Sequence, residues 1–246
     1  MALAFRHFAR ALSICAAILM SAPAHAQFGG EDDMEFGLLT SAEQALIFDE
    51  GIIAYDAGEY ARAFELWLPI AQSGNMAAQR NVAHMLRRGL GTEQNPERAV
   101  YFYRRAAEVG LVNAMINLGS MLLNGEGAER DDSEAAGWFY QASLAGDPRA
   151  QYVLGVLAAR GHGMDKNPEA AVMLFRSAAS QGLRDAQLRL SEAGFPLVEP
   201  NDPNQPLFDL PLELEPLPGI SIAEDLAAVA SGEPDLRLDT TGTGAE

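Results

Sequence analysis

Cysteine is almost absent from this sequence, whose 246 residues include only Cys15. We expect that residue to be lost with a cleaved N-terminal segment, so the mature chain would hold no disulfide. It would also lack a thiol nucleophile and a thiolate ligand for a metal ion. Its stability must then come from packing of side chains, even in an oxidising compartment.

Long hydrophobic runs are missing as well. The apolar run at residues 11–20 is too short to cross a bilayer, which needs about 20 apolar residues. Two arginines precede this run, and the small-x-small sequence Ala24-His25-Ala26 follows it. This order predicts a signal peptide over residues 1–26, with the mature chain starting at Gln27. We therefore expect a periplasmic protein without membrane insertion.

Positive charge is scarce. Lysine and arginine total 17 against 34 aspartates and glutamates, which gives a net charge of −17 that becomes −19 without the two leader arginines. This charge argues against nucleic-acid binding and against adhesion to anionic lipid, and it favours basic partners. Residues 27–40 read as an acidic linker. Residues 195–246 combine eleven acids and eight prolines with one base, which predicts a disordered acidic tail.

Reactive side chains are few. Of four histidines, only His84 and His162 would remain after cleavage, and neither has a second ligand at metal-binding spacing. The loop sequences Gly125-Glu126-Gly127 and Gly161-His162-Gly163 lack the rest of a phosphate-binding motif. The cluster Asp131, Asp132 and Glu134 is explained by capping of a helix. We predict no catalytic residue, no cofactor and no metal site, and hence a protein that is not an enzyme.

What the sequence does contain is a repeat of 36 residues. Small residues and aromatic residues recur in phase with it, namely Gly74, Gly110, Gly146 and Gly182; Ala78, Ala114, Ala150 and Ala186; and Trp67, Tyr103, Phe139 and Phe175. Self-similarity at this period predicts a stacked array of one supersecondary unit. Such arrays form extended surfaces, which shifts the expectation from an enzyme towards an interaction module.

The apolar spacing within each repeat is helical. We predict helix pairs, each with a first (A) and a second (B) helix, over residues 41–194: 42–57 with 59–72, 77–88 with 96–109, 113–124 with 133–144, 149–160 with 168–181, and a lone A helix at 185–193. Ser41 with Gln44 fits a capping box. Glycines 119 and 155 inside A helices predict a close approach of the neighbouring helix. Trp138, Phe139 and Phe175 are expected in the core.

The pattern resembles the Sel-one-like repeat family, which is related to the tetratricopeptide repeats. The matching residues are Ala114-x-x-x-Leu118-Gly119, Gly125-x-Gly127 and Ala135-x-x-Trp138-Phe139. The resemblance implies an all-α fold, a right-handed α-solenoid of stacked antiparallel helix pairs, and a scaffold or adaptor role. Secreted bacterial members are associated with envelope regulation and host interaction.

The resemblance also points to a binding surface, because A helices line the concave face of tetratricopeptide-like solenoids. The expected partner-binding groove is basic and lined by asparagine, and it comprises Arg80, Asn81, His84, Arg88, Asn117, Arg149 and Arg160. An asparagine side chain can donate and accept at once, which suits a peptide backbone. The alternative is a solvated face whose cations balance nearby acids.

The leading functional hypothesis is a secreted, non-enzymatic adaptor that binds a protein or peptide and regulates an envelope protein. One alternative is a hydrolase of cell-wall or β-lactam substrates, as attributed to cysteine-rich family members, and another is a structural spacer. The acidic tail is expected either to cover the groove in competition with the partner or only to aid solubility.

Overall fold

The computed structural model describes residues 39–195. The predicted signal peptide, residues 27–38 of the predicted linker and residues 196–246 of the predicted tail lie outside the described residues. Within residues 39–195 the chain forms nine α-helices and no strand. None of these nine helices is long and apolar enough to cross a membrane. The chain divides between Gln94 and Asn95 into two units, called unit 1 and unit 2.

Unit 1 contains α1 (Ser41–Asp56), α2 (Tyr60–Gln72) and α3 (Met76–Arg88), each packed on the next. Trp67 of α2 is fully buried, and its Nε1 donates a hydrogen bond to the carbonyl oxygen of Phe48, 3.0 Å away. A Cβ atom at Gly51 would overlap the Trp67 ring. The absence of a side chain at Gly51 therefore lets α1 lie directly on the indole.

The described part of unit 2, residues 95–195, contains six helices, each packed on its neighbour in sequence. They are α4 (Pro96–Glu108), α5 (Val112–Asn124), α6 (Asp132–Leu144), α7 (Pro148–Arg160), α8 (Pro168–Ser180) and α9 (Arg184–Glu192). A Cβ atom at Gly119 would lie 2.8 Å from Phe139, and one at Gly155 would lie 2.7 Å from Phe175. The predicted close approach at these two helical glycines is confirmed, and both rings are buried.

Every predicted helix is present within one residue of its predicted ends. The B helices α4 and α8 begin as expected, since Asn95 and Asn167 each accept a backbone N–H at 2.9 Å just before a proline at the first helical position. The loops between A and B helices also lie close to the backbone at the start of the preceding B helix. At Gly127 and Gly163 a side chain would collide with the backbone of Pro96 and Asp132, at the starts of α4 and α6.

The predicted cap of α1 was wrong by one residue. Thr40, not Ser41, precedes the helix, and its hydroxyl accepts the backbone N–H of Glu43 while the Glu43 carboxylate accepts the N–H of Thr40 at 2.9 Å. Thr40 with Glu43 and Ser41 with Gln44 both fit the capping-box pattern, so the sequence alone offered two frames. The carboxylate at Glu43 fits the first turn of a helix better.

The expectation that Trp138 belongs to the core was also wrong. Trp138 is half-buried, and its Nε1 donates to Oε1 of Glu134 at 3.0 Å, so the ring lies along the helix surface. Its neighbour Phe139 fills the core position instead. In a helix, adjacent side chains point about 100° apart, so only one of the pair can face the neighbouring helix.

Capping explains only one member of the acidic cluster at the start of α6. Asp131 accepts the N–H of Glu134 at 2.8 Å, as predicted. Asp132 instead pairs with Arg130 at 2.6 Å and lies 3.3 Å from Nδ1 of His162. Glu134 binds the guanidinium of Arg104 on α4. Two of the three acids therefore join different segments of unit 2.

Candidate functional site

In unit 1 the groove candidates on α3 are mostly buried. Arg80 and Asn81 are only 3% and 0% exposed, so neither presents an open face to solvent, contrary to the expectation from sequence. Every residue of α3 from Ala77 to Ala83 is buried, so this stretch of the helix has no face that is open to solvent. Neither carboxamide atom of Asn81 has a hydrogen-bond partner among the described residues.

His84 lies one turn further along α3 and is mostly buried. Burial lowers the pKa of His84 from its usual 6.5 to about 4, and the positive charges of Arg88, Arg80 and Arg87 add to the effect. The imidazole is therefore neutral at neutral pH, and it does not contribute charge to a basic surface. Arg88 is exposed in the last turn, where a cation is favourable beside the carboxyl end of a helix.

In unit 2 the A helices α5 and α7 carry a polar cluster. Nη2 of Arg149 donates to Oδ1 of Asn113 at 2.6 Å, which joins two residues that are one repeat apart. Nδ2 of Asn117 donates to the carbonyl oxygen of Asn113 at 2.8 Å. All three residues are partly exposed. We call Asn113, Asn117 and Arg149 the polar strip.

The positive charge of Arg149 is compensated by a carboxylate at the start of the same helix. Asp147 caps α7 by accepting the N–H groups of Arg149 and Ala150, and its carboxylate pairs with the Arg149 guanidinium at 2.7 Å. The sequence analysis expected Arg149 to make the groove basic, but Asp147 stands just before α7 and pairs with it. Arg160, the remaining candidate, lies in the last turn of α7 before the left-handed Gly161. The predicted groove is thus less basic in unit 2 than the sequence indicated.

Two residues of the polar strip region were missed by the sequence analysis. Asn113 and Asp147 both bind the Arg149 side chain. The spacing of 36 residues between Asn113 and Arg149 could have indicated that these two residues lie side by side in successive repeats. Ser120 was also missed, and it occupies the repeat position that His84 occupies in α3. Its hydroxyl is buried and has no partner among the described residues.

The described residues contain no group of three or more histidine, cysteine or acidic side chains that could hold a metal ion. His162 lies 3.3 Å from Asp132, which also pairs with Arg130, so it belongs to a polar surface cluster at the start of α6. The lowered pKa of Asp132, caused first by its hydrogen bond with Arg130, keeps that carboxylate ionised.

Comparison with protein families identifies the repeat. The Sel1 repeat model matches residues 77–111, 112–147 and 148–183. These matches include the A helices α3, α5 and α7 and the B helices that follow them. Sel1 repeats generally serve as protein-interaction scaffolds. No curated protein sequence matches this chain significantly.

Three solved structures are similar to this chain. A Sel1 repeat protein from Oxalobacter formigenes is 29% identical, with a TM-score of 0.55 over 61% of this chain, and the match spans 63% of that protein. The match to c5321, a protective antigen of uropathogenic Escherichia coli with an SLR fold, has 25% identity and a TM-score of 0.36 over 61% of this chain and 40% of that one. Helicobacter pylori cysteine rich protein B matches with 20% identity and a TM-score of 0.37, over 61% of this chain and 96% of that one.

The family model, the Oxalobacter structure and the helix pairs of the described residues agree. The predicted fold class, an all-α solenoid of helix pairs, is confirmed, and residues 77–183 match three consecutive Sel1 repeats.

Proposed function

We propose that the protein is a secreted, periplasmic, non-enzymatic adaptor that binds a segment of another protein on the A helices of unit 2. The observation that carries this proposal is the polar strip, which places hydrogen-bonding side chains of two successive repeats side by side on α5 and α7. A scaffold of Sel1 repeats supports an interaction role, because such repeats present equivalent positions at regular spacing.

The polar strip retains unused hydrogen-bonding capacity. Oδ1 of Asn117 and Nη1 of Arg149 make no hydrogen bond with a described residue. One is an acceptor and the other a donor, and the N–H and C=O groups of an extended peptide require both. The strip is therefore suited to a peptide backbone.

The electrostatics favour a backbone-recognising site over one that selects strongly acidic peptides. Arg149 is already paired with Asp147, so its positive charge is largely compensated. The mature chain would be acidic overall. A partner in the envelope, such as a sensor protein, fits this proposal if it offers an extended, uncharged segment with a few anchoring side chains.

Site-specific crosslinking in cells tests the proposal. A photoreactive amino acid at Asn117 should capture a discrete partner in the periplasmic fraction, and the mature protein should begin at Gln27. The matched control is the same substitution at Gln141, which is exposed on the B helix α6. Equal capture at both positions, or none at Asn117, would contradict binding on the A helices. Recovery of the protein with residues 1–26 intact in the cytoplasm would contradict secretion.

A further inference from the structure

Helix α1 carries apolar side chains on two opposite faces. Its inner face buries Phe48, Gly51 and Ala54. On the opposite side, Leu46 and Ile53 are 66% and 70% exposed, the largest fractions among the big apolar residues of the described chain. A helix at the edge of a repeat array ordinarily has a polar outer face. The outer face of α1 is therefore more apolar than the outer face of a solvent-exposed helix ordinarily is.

The exposed residues follow one line along the helix. Ala42, Leu46, Asp49 and Ile53 are spaced i, i+4, i+7 and i+11, so they share one side of the helix. We call these four residues the outer stripe. This spacing is that of a seam for a second helix, where apolar residues recur every three or four positions. The shape of the surface thus favours a helical partner.

The outer stripe is surrounded by negative charge. Helix α1 contains Glu43, Asp49, Glu50 and Asp56 and no lysine or arginine. Glu50 is paired with Arg62 of α2 at 2.6 Å. Asp49, in the middle of the stripe, and Asp56, at its end, make no ion pair with a described residue. A complementary partner must therefore bring positive charge.

The terminal segments of the mature chain, expected to start at Gln27, do not supply it. Residues 27–38 hold four acids and no base, and residues 195–246 hold eleven acids and one base. A second copy docked by the same face would bring Asp49 close to its own counterpart, because a two-fold contact is self-complementary. Like charges within a closed interface oppose association. Neither terminal segment nor a second copy matches the charge of the outer stripe.

We propose that the outer stripe of α1 is a docking surface for a basic amphipathic helix of another protein, with an apolar seam on Leu46 and Ile53 and with lysine or arginine facing Asp49 and Asp56. This surface is separate from the polar strip, and it rests on the proposed function only in that residues 1–26 are cleaved. It gives the protein a second means of interaction, which an adaptor needs in order to hold two components together.

A model helix tests the surface on the purified protein. The probe is a fluorescent synthetic peptide of three Leu-Lys-Lys-Leu-Leu-Lys-Leu heptads, and its counterpart carries glutamate in place of lysine. We expect fluorescence anisotropy to show binding of the lysine peptide and weak or no binding of the glutamate peptide. The double variant Leu46→Gln/Ile53→Gln should weaken binding at least about tenfold. Asp49→Asn should weaken it by a smaller factor, and added salt should reduce that difference.

The matched control is Leu144→Gln/Leu188→Gln, which replaces two exposed leucines of unit 2 that are 64% and 51% exposed. This variant should bind the lysine peptide like the parent. All substituted residues are exposed, so circular dichroism and the melting temperature should be unchanged in both double variants.

Three outcomes would overturn the proposal. Undiminished binding by Leu46→Gln/Ile53→Gln would mean that the peptide is attracted by acids elsewhere. A protein dimer in sedimentation equilibrium that this double variant dissolves would assign the stripe to a second copy. Tighter peptide binding by a version that begins at Leu39 would assign it to residues 27–38.

Discussion

In unit 1 a tryptophan fills the space beside a helical glycine, and in unit 2 a phenylalanine does so twice. Gly51 precedes Trp67 by 16 residues, whereas Gly119 precedes Phe139 by 20 and Gly155 precedes Phe175 by 20. The difference lies in the loop, because α1 and α2 are joined by three residues and α5 and α6 by seven. Two loops of different length thus preserve one contact. The helix pairs keep the contact between glycine and ring, and the shorter first loop shifts Gly51 four residues out of the 36-residue register that Gly119 and Gly155 share.

The largest difference in stability is expected between variants of the buried tryptophan of unit 1 and of the half-buried tryptophan of unit 2. Trp67→Ala removes a fully buried ring and should cost about 3–5 kcal/mol of stability. Trp138→Ala should cost less than about 2 kcal/mol, because its ring is only half-buried. Urea denaturation followed by circular dichroism measures both. Similar losses for the two variants would mean that the burial of the two rings does not determine their contributions.

Substitution by alanine should have opposite effects on stability at two helical glycines of unit 2. Gly119→Ala places a methyl group 2.8 Å from Phe139 and should destabilise by about 1–3 kcal/mol. Gly137 has open space around its position, so Gly137→Ala should stabilise α6 by about 0.5–1 kcal/mol through helix propensity. Thermal melts of the two variants decide the matter. Stabilisation by alanine at both positions would contradict the close approach.

The histidines of the two units should differ in their effect on pH-dependent stability. The pKa of His84 is lowered to about 4 in the folded chain against about 6.5 unfolded, so the unfolded chain binds the proton more readily. The contribution of neutral His84 is therefore complete above pH 6.5 and is lost as the pH falls towards 4.

His84→Gln should accordingly flatten the loss of stability between pH 6.5 and 4, as measured by urea midpoints across that range. His162→Gln in unit 2 retains His84 and should retain this loss. If His84→Gln left the pH profile unchanged, proton uptake at this histidine would not govern stability in that window.

The smallest expected effect concerns ion pairs on the surfaces of the units. In unit 2 Arg104 binds Glu134 with two nitrogen–oxygen contacts, and in unit 1 Arg62 meets Glu50 with one. A double-mutant cycle with Arg104→Met and Glu134→Gln should give a coupling of about 0.5–1 kcal/mol. The cycle with Arg62→Met and Glu50→Gln should give a smaller coupling, since Arg62 is 53% exposed. The hydrogen bond from Arg104 also lowers the pKa of Glu134, so the first coupling should weaken in acid. A larger coupling at Arg62 would reverse the comparison.

The sequence predicted the helices well because the information about them is local. Asn95-Pro96 and Asn167-Pro168 specify a cap and a first turn by themselves, and the repeat then specifies which faces are buried. It predicted the candidate site poorly because a site depends on neighbours from other helices. Arg149 was taken as a free cation, yet it binds Asp147 and the distant Asn113. The burial of Asn81 likewise comes from packing around α3, which no pattern within α3 reveals. Gly51 escaped notice because the short first loop puts it out of register with Gly119 and Gly155.

The loop glycines have a consequence for how unit 2 acquires its structure. Gly127 rests on the backbone of Pro96 and Gly163 on that of Asp132, in each case 31 residues earlier in the chain. The hydrogen bonds from Arg149 to Asn113 and from Arg189 to Tyr152 likewise join residues only 36 and 37 positions apart. Such short closures cost little chain entropy and form quickly. Folding of unit 2 can therefore begin at any helix pair and extend from one repeat to the next, so a chain leaving the ribosome need not be complete before its first repeats are ordered.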